Sequence, residues 1–156
     1  MKSSVKSFVA LTFLLCAFAY AQSGATKKAE PFTDVQLLQP EQFAKMLADS
    51  KGKKPVVLQV GFATLYKSNH IPGSEYAGPA NRPEGIEALK KALASVPRDS
   101  EIVLYCGCCP WDKCPNIRPA FEAAKQMGFT NVKLLVIQQD LEENWIKKGF
   151  PVVSVK

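Results

Sequence analysis

Histidine is the scarcest of the chemically active residues: the 156-residue chain contains one, His70. Metal-dependent hydrolysis built on a histidine pair, as in an H-E-x-x-H helix, is therefore excluded. The chain also lacks a G-x-S-x-G elbow, a G-x-G-x-x-G turn and a P-loop string. These absences remove the common serine-hydrolase, dinucleotide-binding and nucleotide-triphosphate sites. Only one long apolar run occurs, close to the N-terminus, which excludes a multi-span membrane protein. Charge of one sign is never massed: 20 Lys plus Arg face 14 Asp plus Glu, and the lysines beyond the N-terminus fall in scattered pairs such as Lys53-Lys54 and Lys90-Lys91. That pattern reads as a solvated surface and predicts no nucleic-acid partner. What is present is an ordinary globular composition, 47% hydrophobic, for which a single domain is the expectation.

The N-terminus reads as an address. Lys2 and Lys6 precede the apolar run Phe8 to Ala19, and Ala19 and Ala21 supply the small residues that a signal peptidase selects. Residues 1–21 are therefore expected to be a signal peptide, 22–31 a polar linker and 32–156 the folded domain. The apolar run is shorter than the ~20 residues of a spanning helix, so no stable membrane insertion is expected after cleavage, and the mature protein is expected in the periplasm or outside the cell. Export places the thiols where disulfides can persist.

From Phe32 onward, short apolar runs alternate with amphipathic stretches. Strands are expected at Val35–Leu38 on an edge, Val56–Val60, Ile102–Tyr105, Val132–Ile137 and, as a terminal extended piece, Val152–Val155. Helices are expected from Pro40, over Pro83–Val96, over Asn116–Met127 with Asn116 as cap and Gly128 as stop, and over Asp140–Lys148. Such alternation predicts an α/β domain whose mainly parallel sheet carries helices on both faces.

Four of the five cysteines fall in one segment, Cys106-Gly107-Cys108-Cys109-Pro110-Trp111-Asp112-Lys113-Cys114, between a strand and a helix. Ligand sites in parallel sheets lie beyond the carboxyl ends of strands, and a helix N-terminus stabilises a thiolate or oxyanion. Lys113 and Arg118 add positive charge to this region. Three chemistries suit the segment: nucleophilic sulfur chemistry, thiol–disulfide exchange with Cys106-Gly107-Cys108-Cys109 read as C-x-x-C, and soft-metal binding of Cu(I) or Zn by Cys106, Cys108, Cys109 and Cys114. Trp111 is read as a lid or as surface packing. Trp145 and Phe121 are read as core.

Four strings then occur in a telling order: His70-Ile71-Pro72-Gly73-Ser74, Ile102-Val103-Leu104-Tyr105-Cys106, Gly128-Phe129-Thr130-Asn131-Val132 and Trp145-Ile146-Lys147-Lys148-Gly149-Phe150-Pro151-Val152. Together they resemble the rhodanese-like sulfurtransferase family over most of residues 32–156. The resemblance implies a three-layer sandwich in which Cys106 carries sulfur as a persulfide without a cofactor. It further implies a small anionic donor such as thiosulfate contacted by Lys113 and Arg118, and a thiol acceptor. Counted back from the helix, Cys114 is the alternative nucleophile; Cys106 is preferred because strand ends are fixed better than inserted loops, and Cys108, Cys109 and Cys114 are candidate resolving or redox thiols. His70, in an H-I-P-G turn, is expected to hold that turn by hydrogen bonds. The chain departs from the family in having Gln59-Val60-Gly61 where D-V-R is usual, and nine residues, Gly107 to Pro115, between the nucleophile and Asn116.

Overall fold

The computed structural model describes residues 32–154; the expected signal peptide, the linker and the last two residues lie outside the described residues. Among the described residues no helix is long and apolar enough to cross a membrane. Five strands form one parallel sheet: β1 (Leu37–Leu38), β2 (Val56–Gln59), β4 (Ser74–Tyr76), β5 (Ile102–Tyr105) and β6 (Val132–Leu135), in the order β1-β6-β5-β2-β4. A second sheet pairs β3 (Asn69–His70) antiparallel with β7 (Val153–Ser154). The helices are α1 (Pro40–Ala48), α2 (Ala63–Ser68), α3 (Pro83–Leu93) and α4 (Ile117–Gln126).

β5 shows why three layers form. Its four residues Ile-Val-Leu-Tyr are all fully buried, as a strand covered on both faces requires. Because side chains alternate, Ile102 and Leu104 join one core with Leu89 and Leu93 of α3 and Ala120 and Phe121 of α4. Val103 and Tyr105 join the other with Phe43 of α1 and Trp145. Neighbours in register, Leu58 with Leu104 and Leu104 with Leu134, make the first core continuous across the sheet. Cys106 continues the alternation and falls on the α3/α4 side.

Several strand and helix ends shift by one to three residues from expectation, and three differences go further. Val35 is 79% exposed and belongs to a 3-10 turn, Asp34–Gln36, so the edge strand keeps only Leu37 and Leu38. The segment expected as a helix from Asp140 is a single π-type turn, Glu142–Ile146, which buries Trp145. α4 begins where expected and Gly128, at φ +88°, ends it, but Asn116 does not cap it with its side chain. That amide is used elsewhere, as the site shows.

Candidate active site

The sheet delivers Cys106 at the carboxyl end of its central strand, 5% exposed. Gly107, at φ +74°, then reverses the chain in a conformation that disfavours any side chain, and a Cβ there would also press on Leu141 at 3.0 Å. The reversal is anchored on the far side: the Leu141 N–H donates to the Gly107 carbonyl (3.1 Å), and the Trp111 N–H donates to the Gln138 carbonyl (3.2 Å). A 3-10 turn, Trp111–Lys113, leads to buried Cys114 and, through Pro115, to Asn116 before α4. The inserted loop is thus tied to the segment that follows β6. Trp111 is 8% exposed and packs edge-on against Phe32, so of its two readings the packing one holds.

The four loop sulfurs converge, all lying within 4.8 Å of one another. Cys106 Sγ is 3.1 Å from Cys108 Sγ, which is 2.9 Å from Cys109 Sγ. Asn116, fully buried, is the polar brace: its Nδ2 donates to Cys106 Sγ (3.3 Å), while its Oδ1 accepts the Asn81 N–H (3.0 Å). On the other side, Gln59 Nε2 donates to the Cys106 carbonyl (3.0 Å). An amide can donate there, and the carboxylate usual in the family's D-V-R cannot. Gly61 completes the fit, because a Cβ at that position would lie 3.0 Å from both Cys106 Sγ and the Cys106 carbonyl oxygen.

The four thiols are not electrostatically equivalent. The contact with Cys108 lowers Cys106, but the Cys114 contact, burial and the negative charge of Cys114 outweigh it and push Cys106 up to about 12. Cys108, chiefly through its contact with Cys106, and Cys109, chiefly through burial, also lie above the ordinary thiol value. Cys114 goes the other way. Its contacts with Cys106 and Cys108, joined by the backbone N–H groups of Asn116 and Ile117, outweigh burial and hold it far below the ordinary value. Position adds the smaller part: Cys114 sits against the first unpaired N–H groups of α4.

A cavity of about 240 Å³ opens over Cys106, Gly107 and Cys108, with Leu65, Ser68 and Asn69 on one wall and Asp140, Leu141 and Glu142 on the other. Neither Lys113 nor Arg118 lines it. Lys113 is exposed on the outer turn of the loop. Arg118 Nη1 donates to the Trp111 carbonyl (3.4 Å), and its guanidinium stands over the rings of Phe32 (5.7 Å) and Trp111 (5.9 Å). Cys114 lines a much smaller void of about 10 Å³ with Cys106, Gly107 and Cys109. His70 lies outside both: its Nδ1 is 2.8 Å from the Tyr66 carbonyl oxygen and its ring stacks on Tyr66, a turn-holding role.

A strand-end cysteine followed by a helix on an all-parallel five-stranded sheet narrows the family, and sequence comparison decides it: the model of the rhodanese-like domain matches residues 39–136. The chain belongs to the rhodanese-like family. The rhodanese-like fold recurs in the BH2092 protein of Bacillus halodurans, at 20% identity and a TM-score of 0.61, covering 78% of each chain. It recurs in the rhodanese-like domain of the Alr3790 protein of Anabaena sp., at 17% identity and a TM-score of 0.56, covering 76% of this chain and 79% of that one. A rhodanese-like domain protein of Staphylococcus aureus aligns at 11% identity with a TM-score of 0.52, covering 76% and 99%. No curated protein matches the chain in sequence. Rhodanese-like membership places the protein among sulfurtransferases and sulfur carriers.

Gln59, Gly61 and the Asp140–Glu142 wall are site features that sequence reasoning passed over. Gln59 and Gly61 carried a signal, because both stand where the family pattern is broken.

Proposed function

We propose that the protein is an exported sulfurtransferase or persulfide carrier whose nucleophile is Cys106. The observation that carries this reading is the placement of Cys106: it is the sulfur fixed to the end of the central strand, and it lines the larger cavity. Cys114, which receives the helix N–H groups, lines the small void and not the larger cavity. The export part of the reading rests on the signal-like pattern of residues 1–21.

In the proposed reaction Cys114 stays the thiolate held by the N–H groups of Asn116 and Ile117, while Cys106 gives its proton to solvent at the cavity and the Asn116 amide donates to the thiolate that results. The Cys106 thiolate attacks the outer sulfur of the donor, a new S–S bond forms, and the donor's S–S bond breaks. With thiosulfate the leaving group is sulfite, which takes the electron pair. An acceptor thiolate then attacks the outer sulfur of the persulfide and restores the Cys106 thiolate. Lys113 and Arg118 contribute positive potential around the loop, drawing an anionic donor towards the cavity mouth. No cofactor takes part in either step.

The test is intact mass of reduced, metal-free protein before and after thiosulfate, run beside Cys106→Ser. One added sulfur atom, lost in the variant, is the expected result. An unmodified wild type that instead loses two hydrogens on mild oxidation would replace this reading with thiol–disulfide exchange.

A further inference from the structure

The sulfur-transfer reading uses Cys106 and Cys114 and leaves Cys108 and Cys109 without a task. Neither is placed as a structural staple, for all four cysteines are free thiols and the loop is already held by the backbone bonds to Gln138 and Leu141. What the two do is complete a cage. We propose that Cys106, Cys108, Cys109 and Cys114 form a tetrathiolate site for one zinc-class divalent ion, a second use of the loop that does not depend on the sulfur-transfer reading.

The spacing supports this. An ion at the centre of a sulfur tetrahedron with Zn–S bonds of about 2.3 Å requires S···S edges of about 3.8 Å. Two edges of the quartet measure 3.1 and 2.9 Å, and none exceeds 4.8 Å, so the required length lies inside the observed range. Adjustments of roughly an ångström at the side-chain torsions of the half-buried Cys108 and Cys109 would bring the edges to that length. Four soft thiolates select zinc-class or cuprous ions over magnesium or calcium, and a four-sulfur tetrahedron favours zinc.

The surroundings suit such a centre as well. Four thiolates around a divalent ion keep an excess of negative charge, which outer N–H donors must meet. Asn116 Nδ2 faces Cys106 Sγ at 3.3 Å and Cys108 Sγ at 3.9 Å, and the backbone N–H groups of Asn116 and Ile117 face Cys114. The two ends of the cage are fixed by the core, at 5% and 6% exposure, while the two middle ligands are half-buried and leave an entry path. A closed cage of this kind occupies the sulfur on which a persulfide would form, so ion and sulfane sulfur would compete for Cys106.

The experiment uses the full chain, reduced, stripped with a chelator and titrated with Co(II) or Zn(II). One ion per chain is expected, with the Co(II) spectrum of a tetrahedral thiolate centre, and with Zn(II) displacing Co(II). Cys108→Ser and Cys109→Ser, both at half-buried positions, should each weaken binding by ~100-fold or more, with circular dichroism unchanged. A folded, reduced wild type that retains no ion, or that gives an octahedral Co(II) spectrum, overturns the proposal. Unaltered affinity in both variants overturns the four-sulfur assignment. Sulfur loading is read by mass on separate metal-free samples, so its failure and the failure of metal binding are distinguishable.

Discussion

Tyr105 and Cys106 are consecutive residues at the end of one strand, and they face opposite sides of the sheet into opposite kinds of chemistry. Around the Tyr105 hydroxyl the polar groups have hard, fixed partners. Its hydroxyl accepts the Ile71 N–H (3.2 Å) and lies 3.0 Å from Ser74 Oγ, and that Oγ donates to the Ile71 carbonyl (2.7 Å). Trp145, fully buried beneath, packs on Phe43 and Phe150 and donates from Nε1 to the Pro151 carbonyl. On the Cys106 side the groups are sulfurs, whose nearest partners are one another. One face of the strand end is closed by hydrogen bonds that have a single solution, and the other gathers soft nucleophiles that can exchange partners. The contrast shows how a fold isolates reactive thiols: rigidity is concentrated one residue away.

The sharpest break in this comparison is Cys106→Ser against Tyr105→Phe. The first should abolish sulfur uptake measured by intact mass; the second should leave it intact. Trp145→Ala tests the rigid side and should cost ~3–5 kcal/mol of stability in urea unfolding, as expected for a fully buried aromatic. Asn116→Ala tests the soft side. Removing the amide that faces two sulfurs should lower Co(II) affinity by ~10–100-fold, measured by competition with a chelator. The smallest effect expected is that of Tyr105→Phe itself, ~1–2 kcal/mol from the lost hydroxyl bonds. It also has a pH signature. Burial pushes the Tyr105 phenol up to about 12, above its unfolded value near 10, so its neutral form is favoured in the fold. Wild-type stability contributed by this group is complete below pH 10 and is lost as pH rises towards 12. The phenylalanine variant should lack that slope in unfolding curves taken across the same interval.

Much of this division can be traced back to residue order. The run Ile102 to Tyr105 is bounded in the structure as its apolar pattern predicts, and α4 follows the 3.6-residue spacing of Ile117, Ala120, Phe121 and Ala124. These are local signals, carried by neighbouring residues. Asn116 shows where locality fails: a residue type that caps helices spends its amide on Asn81, 35 positions away, and on Cys106. Arg118 is another case, held over Phe32 rather than at the cavity wall. The wall itself joins residues 65–69 to 140–142, a pairing that only the folded topology specifies. Val35 alternates with Gln36 before Leu37 as an edge strand would, yet the pairing with β6 extends only over Leu37 and Leu38.

The ties from Gly107 to Leu141 and from Trp111 to Gln138 bear on portability. A transplant of Cys106 to Pro115 into another scaffold would carry the four cysteines but leave their anchors behind, and the sulfurs would splay. The unit that must travel is discontinuous: the loop, the two carbonyl and amide anchors beyond β6, and a glycine at the end of the neighbouring strand.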